Sequence, residues 1–185
     1  MCPMRPTPLD IEWSLLGFLH AQPRHGYALH RKLSQSKGLG IVWNLKQSQL
    51  YALLDKLERR GYVEHTLEPQ ASRPPRKVYA LTPDGEEALH AWMEAPVAHG
   101  RDIRMEFLAK LYFARREGPS TVRRLLNAQR QICQQWLEIQ QTGDERRSAE
   151  PYTWLVHEFR AGQIEAILDW LNLCEETLLT EEEKI

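Results

Sequence analysis

One stretch of the sequence, residues 44–81, constrains the fold more than any other. In segment 50–57 the leucines recur at the i, i+3, i+4 and i+7 spacing that places them on one face of a helix. Gly61 ends this helix, because glycine readily adopts the positive φ that a helix end requires. Residues 62–67 and 77–81 are rich in strand-forming side chains. The stretch therefore predicts a helix followed by two strands, with a polar, proline-containing loop between them.

Helix, strand, basic loop and strand, in this order, form the pattern of a winged helix. In such a unit one helix lies in the major groove of DNA, and the loop between the strands contacts the backbone or minor groove nearby. Two helices are expected before it, at residues 8–21 and 27–36, and residues 41–43 are a candidate third strand. The predicted fold class is mainly α with a small β wing. An amphipathic helix and hairpin without any partner is the alternative interpretation of this stretch alone.

Charge is distributed unevenly along the chain, although the net charge is only −1. Residues 24–77 contain 11 Lys or Arg and 4 Asp or Glu, which gives +7, whereas residues 96–185 contain 12 basic and 15 acidic residues, which gives −3. A basic region suits phosphate binding, because each neutralised phosphate releases counterions. Arg73, Arg76 and Lys77 cluster on the predicted wing loop, where they would supply most of the non-specific attraction to DNA. A solvated surface is the alternative interpretation.

The start of the third predicted helix carries the candidates for reading DNA bases. Asn44 and Gln47 have the spacing of a capping box, which predicts that the helix begins near Asn44. Lys46, Ser48 and Gln49 then lie at its N-terminal end, the end that usually enters the groove. Gln49 can make paired hydrogen bonds to N6 and N7 of adenine, and Ser48 can donate to a base edge or a phosphate.

Three short motifs in this half of the chain resemble those of the PadR family of bacterial transcriptional regulators. The first is a Gly-Tyr pair at the start of the second helix, here Gly26-Tyr27, and the second is a Leu-Tyr pair in the third helix, here Leu50-Tyr51. The third is a Tyr-x-Leu-Thr-x-x-Gly run that closes the wing, here Tyr79, Leu81, Thr82 and Gly85. The resemblance spans residues 9–90 and is specific through the combination of motifs. It implies that Tyr51 places its hydroxyl near a DNA phosphate, and Tyr27 is expected in the same role. Packing of either ring on a neighbouring helix is the alternative.

The resemblance also implies a function. Members of the family are DNA-binding regulators, and this chain resembles the longer subgroup, whose helical C-terminal half dimerises. We therefore expect a repressor that binds double-stranded DNA at a pseudo-palindromic operator as a homodimer, with half-sites about one or more helical turns apart. Two alternatives stay open. One is a winged-helix protein-interaction module that does not contact DNA, and the other is a ligand-responsive regulator of the MarR type, in which helices flank the winged unit at both ends.

The second half of the chain, residues 96–185, predicts three long amphipathic helices, and the domain boundary is expected after residue 95. So much apolar helix surface with few connecting residues is difficult to bury in one subunit, and pairing across a two-fold axis solves this problem. The residues expected at the dimer interface lie on the last helix and are Leu155, Phe159, Ile167, Trp170 and Leu171. A monomeric three-helix bundle is the alternative.

Six tryptophans are many for 185 residues, and aromatic walls can hold a flat ligand. The resemblance adds that family members often release DNA when a small aromatic or drug-like molecule binds. Trp92 is the first candidate for an effector-binding residue, because it precedes the joint between the two predicted domains, and Trp13 is the second. Core packing of both rings is the competing interpretation.

The sequence has no P-loop, GxSxG, HExxH or GxGxxG motif, so neither an enzyme nor a bound cofactor is expected. His20, His25 and His30 recur every fifth residue, which spreads them around a helix instead of gathering them on one face. The three cysteines form no CxxC pair, so no metal site is expected either. No apolar run reaches the roughly 18 residues that span a membrane, and the N-terminus lacks a signal-peptide core, so the expected location is the cytoplasm.

Overall fold

The structure, a computed structural model, describes residues 11–35, 45–70, 74–142 and 150–179. The helices are α1 (Ile11–Ala21), α2 (Gly26–Gln35), α3 (Gln47–Arg59), α4 (Pro83–Glu94), α5 (Glu106–Glu117), α6 (Pro119–Thr142) and α7 (Pro151–Leu179). The strands are β1 (Arg24–His25), β2 (Val63–Glu68) and β3 (Arg76–Leu81), and a short 3-10 helix covers Gly100–Arg104. This architecture confirms the predicted fold class, mainly α with a small β wing. The candidate strand at 41–43 and the wing residue Arg73 lie outside the described residues.

The chain divides into two compact units. The first comprises the chain up to Met93 together with Arg101–Phe113, and the second comprises Glu94–Gly100 and the chain from Ala114 onward. The first unit therefore contains the sheet, helices α1 to α4 and most of α5. The second contains α6 and α7.

The sheet of the first unit has the order β1-β3-β2, and β3 is antiparallel to both neighbours. Strands β2 and β3 form the predicted hairpin, in which Val63 lies opposite Leu81 and Glu68 lies opposite Arg76. The sequence predicts only a break between the first two helices, whereas the structure places Arg24–His25 there as a strand on β3. Two residues have no periodicity to detect. They form a strand because backbone groups at the edge of β3 require partners.

The core of the first unit lies where its helices meet the sheet. Leu50, Leu54 and Leu57 of α3 are buried, which confirms the predicted apolar stripe. They belong to one apolar cluster, in which Tyr79 and Phe18 are the largest fully buried side chains. Full burial stabilises each large apolar side chain by roughly 1.5–3 kcal/mol relative to exposure. The stripe therefore fixes the rotation of α3, so that its opposite face points to solvent.

The end of α3 determines where the wing begins. Gly61 has a φ of +76°, a left-handed conformation that side chains disfavour. The Gly61 N–H donates to the carbonyl of Glu58 at 2.9 Å, and the Tyr62 N–H donates to the carbonyl of Leu57 at 3.1 Å. These hydrogen bonds satisfy carbonyls of the last helical turn, so the chain turns directly from α3 into β2.

The start of α3 differs from the prediction. Asn44 lies outside the described residues, and Lys46 is the N-cap, with extended backbone at φ −71° and ψ 148°. Gln49 is the third residue of the helix, and its side-chain oxygen accepts a hydrogen bond from the Lys46 N–H at 3.0 Å. The capping box therefore lies two residues later than the predicted Asn44–Gln47 pair, and it uses Gln49 as the residue that reaches back.

Thr82 joins the wing to α4. Its hydroxyl donates to the carbonyl of Gly61 at 2.6 Å and accepts from the N–H of Gly85 at 3.1 Å, so Thr82 caps the helix. A Cβ atom at Gly85 would lie 2.0 Å from the carbonyl oxygen of Tyr62, which is backbone and cannot move aside easily. Glycine is therefore required at this position for α4 to approach the turn between α3 and β2.

In the second unit, α6 and α7 pack along each other. Gln129 of α6 is fully buried, and its side-chain oxygen accepts from the N–H of Val97 at 2.7 Å, which ties segment 94–100 to α6. Arg130 of α6 donates to a carboxylate oxygen of Glu175 on α7 at 2.6 Å. None of the helices in the described part of the chain has both the length and the apolar character needed to cross a bilayer.

Candidate nucleic-acid interface

A groove opens on the first unit between the start of α2, one face of α3 and β3. Its volume is about 770 Å³. We call it the α2–α3 groove. Four of the residues that the sequence predicts to contact DNA line it, namely Tyr27, Tyr51, Arg76 and Lys77. Residues from three separate elements are thus brought to one surface.

The two tyrosines of the groove depend on a neighbouring glycine. A Cβ atom at Gly26 would lie 2.5 Å from the ring of Tyr51, so the start of α2 leaves space for that ring only because residue 26 has no side chain. The Tyr51 side chain is partly covered in this way, whereas the Tyr27 side chain is 60% exposed. Both keep a phenol at the groove surface, and a phenol can donate a hydrogen bond to a phosphate oxygen.

The wing contributes the positive charge of the groove. Arg76 and Lys77 are exposed at the start of β3. The Lys77 ammonium lies 3.8 Å from a carboxylate oxygen of Glu58 and 5.9 Å from the centre of the Tyr79 ring. The Glu58 contact is long and partly solvated, so it leaves the ammonium accessible to a phosphate.

Histidine contacts attach the wing to the helices. The His25 imidazole lies 3.0 Å from the Glu68 carboxylate through Nε2 and 3.3 Å from the Lys77 carbonyl through Nδ1. The His65 imidazole of β2 contacts the Glu58 carboxylate of α3. His25 therefore joins β1 to both strands of the hairpin, and His65 joins β2 to α3, so the orientation of the wing is coupled to that of α3.

The exposed N-terminal end of α3 carries the predicted base-reading residues. Lys46, Ser48 and Gln49 are all exposed there. The side-chain oxygen of Gln49 is occupied by the Lys46 N–H, so a paired contact to adenine requires this capping hydrogen bond to be shared or broken. The Ser48 hydroxyl lies on the same exposed turn without that requirement.

Glu12 of α1 forms ion pairs that hold the end of α3, and the sequence analysis did not identify this residue. It is a buried carboxylate on α1, 2.7 Å from the ammonium of Lys56 and 3.0 Å from the guanidinium of Arg60. Lys56 of α3 and Arg60, the residue that follows α3 as its C-cap, thus neutralise one buried anion, which holds the end of α3 to α1. The pairing joins residues far apart in sequence, and no local pattern indicates it.

Tyr79 forms the floor of the groove. Its ring is fully buried, and burial raises the pKa of its phenol from 10.0 to about 12, with further contributions from the carboxylates of Asp55 and Glu58. The phenol is therefore neutral throughout the physiological range, and it packs as part of the core below Lys77.

The two predicted effector-binding tryptophans contact each other in the first unit. The rings of Trp13 and Trp92 stack with their centres 6.0 Å apart and an angle of 11° between their planes. Trp92 is only 7% exposed, and its indole N–H has no hydrogen-bond partner among the described residues. The ammonium of Lys110 lies over the Trp92 ring and donates to the Trp92 carbonyl at 2.9 Å. Both tryptophans therefore pack with the core.

The residues predicted for the dimer interface fall into two groups on α7. Leu155 and Phe159 are 57% and 66% exposed, and Ile167 and Trp170 are partly buried. Leu171 is fully buried within one chain, so the sequence prediction for it is corrected: it has no surface to offer to a second copy. The error arises because apolar residues of α7 occur around much of its circumference. Their spacing in the sequence therefore does not distinguish the face that packs on α6 from the face on the opposite side of α7.

Two family models match the chain in adjacent segments. The model described as the transcriptional regulator PadR-like family matches residues 15–91, and the model described as virulence activator alpha C-term matches residues 103–178.

Two curated proteins are similar over part of the chain. The negative transcriptional regulator PadR of Bacillus subtilis is 29% identical over 103 residues, which is 56% of either chain. A probable transcriptional regulator of Mycobacterium tuberculosis is 32% identical over 91 residues, which is 49% of this chain and 47% of the relative. The chain thus matches about half the length of these relatives.

Among solved structures, the chain is similar to Bacillus subtilis PadR in complex with operator DNA, with 25% identity and a TM-score of 0.47 over 94% of this chain and 99% of that one. It is also similar to the same protein in complex with p-coumaric acid, with 22% identity and a TM-score of 0.41 over 91% and 98% of the two chains.

Proposed function

The chain belongs to the PadR-like family of transcriptional regulators, and on that premise we propose that it is a sequence-specific DNA-binding repressor that acts as a homodimer. The observation that carries the proposal is the α2–α3 groove, in which two tyrosines and two wing cations from separate elements share one surface. Binding, and not catalysis, is the role that this surface supports. A regulator of this kind acts where the DNA is, so we place the protein in the cytoplasm.

The groove suggests how the protein docks on DNA. The exposed end of α3 enters the major groove, with Ser48 directed to a base edge or phosphate. Tyr27 and Tyr51 donate to phosphate oxygens beside it, and Arg76 and Lys77 neutralise phosphates along the wing. In this arrangement the phosphate contacts set the register of the helix, and the exposed face of α3, beginning at its first turn, reads the sequence.

Asp55 gives the groove a selective element. Its carboxylate lines the groove on α3, one turn after Tyr51. A carboxylate repels phosphate but accepts a hydrogen bond from N4 of cytosine. We therefore expect Asp55 to favour a cytosine at one position of each half-site, and Asp55→Asn to relax that preference while strengthening non-specific binding.

The dimer is proposed to form through the exposed apolar face of α7. Tyr152, Leu155 and Phe159 recur there at spacings of three and four residues, and each exposes more than half of its surface. Exposed apolar side chains at such regular spacing are typical of a helix that pairs with another copy. In sedimentation equilibrium, Phe159→Glu is expected to shift the protein to monomer, whereas Gln134→Glu at an exposed position of α6 changes the net charge by the same amount, serves as the control and stays dimeric.

A small aromatic effector is also proposed, as the complex of Bacillus subtilis PadR with p-coumaric acid suggests. The supporting feature is the stacked pair of Trp13 and Trp92, with the unpartnered indole N–H of Trp92. A ligand can enter only if the two stacked rings separate, and it would then quench their fluorescence and satisfy that N–H. Titration with p-coumarate should quench the wild type but not Trp92→Phe, and no quenching of the wild type would refute the choice of this ligand.

The function is tested by selecting DNA from a random duplex pool and measuring the affinity for the selected sequence. The wild type is expected to recover a pseudo-palindrome and to prefer it strongly over scrambled DNA of equal length. Ser48→Ala should weaken binding to the selected site more than to scrambled DNA, since it removes a base-reading group. Equal affinity for both duplexes would contradict a sequence-specific regulator.

A further inference from the structure

The peptide that joins Leu45 to Lys46, directly before α3, has both of its polar groups held by side chains. Its carbonyl accepts a hydrogen bond from Nε2 of His30 at 2.8 Å, and its N–H donates to the side-chain oxygen of Gln49 at 3.0 Å. We propose that His30 is a positioning residue for sequence recognition, because it fixes the start of the helix that reads the bases. This inference rests on the proposed function, DNA binding through the exposed end of α3.

The hydrogen bond from His30 can run in only one direction. A carbonyl oxygen accepts and never donates, so Nε2 of the imidazole carries the proton. The Nε2–H group is present in one neutral tautomer of the ring and also in the charged ring. The contact with Leu45 is therefore kept when the imidazole gains a proton, and it acts as a constant restraint on the chain.

Two different interactions hold Leu45 in place. His30 lies on α2, 15 residues before Leu45, so the hydrogen bond joins α2 to the segment that enters α3. The Leu45 side chain is partly buried and packs on the apolar cluster of the first unit. The first helical hydrogen bond, from the Leu50 N–H to the Lys46 carbonyl at 3.1 Å, follows immediately. Packing thus fixes the position of this peptide, and His30 fixes its orientation, from which α3 starts.

The helix that carries His30 also carries a proposed phosphate contact. Tyr27 and His30 are three residues apart on α2, so their side chains are neighbours on the helix surface. Tyr27 lines the α2–α3 groove and is 60% exposed. Helix α2 therefore connects a contact with the DNA backbone to the first turn of α3. Without the hydrogen bond from His30, the turn that carries Ser48 would shift relative to the bases, while Tyr27 stayed on the backbone.

A positioning role and a merely structural role predict different binding to two kinds of DNA. Hydrogen bonds to base edges require accurate geometry and occur only on the correct sequence. Phosphate contacts, such as those proposed for Arg76 and Lys77, are made on any sequence. Loss of a positioning residue should therefore weaken binding to the selected site alone, whereas general damage to the first unit should weaken binding to every duplex.

The experiment measures the affinity of the full chain for the duplex selected from the random pool and for a scrambled duplex of equal length. His30→Asn places its amide too close to the backbone of α2 to reach Leu45, and it should lower the ratio of the two affinities about tenfold, as loss of a base contact does. Its affinity for the scrambled duplex should stay within about twofold of the wild type, since the phosphate contacts remain.

Two further variants serve as matched comparisons. His30→Gln carries an amide N–H at about the reach of Nε2, so it should keep the affinity ratio within about threefold of the wild type. Gln35→Asn shortens an amide side chain at an exposed position of the same helix, and it should bind both duplexes as the wild type does. Circular dichroism checks that each variant is folded.

Amide hydrogen exchange of the free protein tests the contact without DNA. In His30→Asn the amides of Lys46 and Leu50 should exchange about fivefold faster than in the wild type, and the amide of Leu54 should be unchanged. Unchanged exchange at Lys46 and Leu50 would overturn the role of His30. The same conclusion follows if folded His30→Asn keeps the wild-type ratio, if it loses affinity for both duplexes equally, or if His30→Gln loses as much as His30→Asn. Equal binding of both duplexes by the wild type would instead contradict the proposed function.

Discussion

Replacing Gly85 by alanine tests the packing that joins the wing to α4. The new Cβ atom would lie 2.0 Å from the carbonyl oxygen of Tyr62 and 2.9 Å from its carbonyl carbon, so the start of α4 must move by about 1 Å or more to reach an ordinary contact distance. That movement disturbs the Thr82 cap and the hydrogen bond from the Thr82 N–H to the Tyr62 carbonyl, at 3.2 Å. Loss of the cap costs about 1 kcal/mol and loss of the backbone hydrogen bond costs about 1 kcal/mol, so Gly85→Ala should destabilise the first unit by about 2 kcal/mol.

Urea unfolding followed by circular dichroism measures this loss. Gly162→Ala is the matched control, because Gly162 is also helical and a Cβ atom there would meet nothing within 4 Å. Alanine is the better helix former, so the control should stabilise the second unit by about 0.5–1 kcal/mol. The reasoning would be refuted if Gly85→Ala unfolded at the same urea concentration as the wild type, or if both variants shifted stability in the same direction.

Three further predictions concern α1, the wing and α3. Glu12→Gln should lower the free energy of unfolding by about 1–2 kcal/mol in urea titrations, because Lys56 loses a charged hydrogen-bond partner. An unchanged free energy of unfolding would mean that water replaces the carboxylate fully. Between pH 9 and pH 11 the wild type should lose about 1 kcal/mol more stability than Tyr79→Phe. The buried phenol has a pKa of about 12 in the folded protein but about 10 in the unfolded chain, so a rising pH favours the unfolded chain. Parallel curves of stability against pH for the two proteins would contradict this. Thermal unfolding should show that Gln49→Ala costs about 1 kcal/mol of stability and Gln49→Glu almost nothing, because a carboxylate can still accept from the Lys46 N–H. In DNA titrations, Gln49→Glu should bind more weakly than the wild type. Equal stability of the two variants would refute the capping role of Gln49.

The sequence predicts the elements whose signals are local. The leucine spacing of α3 and the glycine after it predict one helix and its end, and the structure places both as expected. The start of α3 is displaced by two residues, because Gln49 and Asn44 are both acceptable in a capping motif and only the three-dimensional path of the chain selects between the candidates.

The sequence gives no signal for contacts between segments that are far apart along the chain. Strand β1 has only two residues and exists because β3 has an open edge beside it. Glu12 is a polar residue on an apolar helix, and its partners on α3 are known only once the helices are packed. His20 is unremarkable beside His25 in the sequence, because its neighbour His90 comes from α4.

The salt dependence of DNA binding tests most directly whether the α2–α3 groove contacts phosphates. We expect the slope of log K against log salt concentration to become shallower by about 1.8 in the double variant Arg76→Ala/Lys77→Ala, since each lost phosphate contact removes about 0.9 from the slope. The control Arg115→Ala/Arg123→Ala removes the same charge from exposed positions of the second unit and should leave the slope unchanged. Equal slopes for the wild type and the wing variant, or equal changes in both double variants, would contradict the assignment of the groove as the DNA-binding surface.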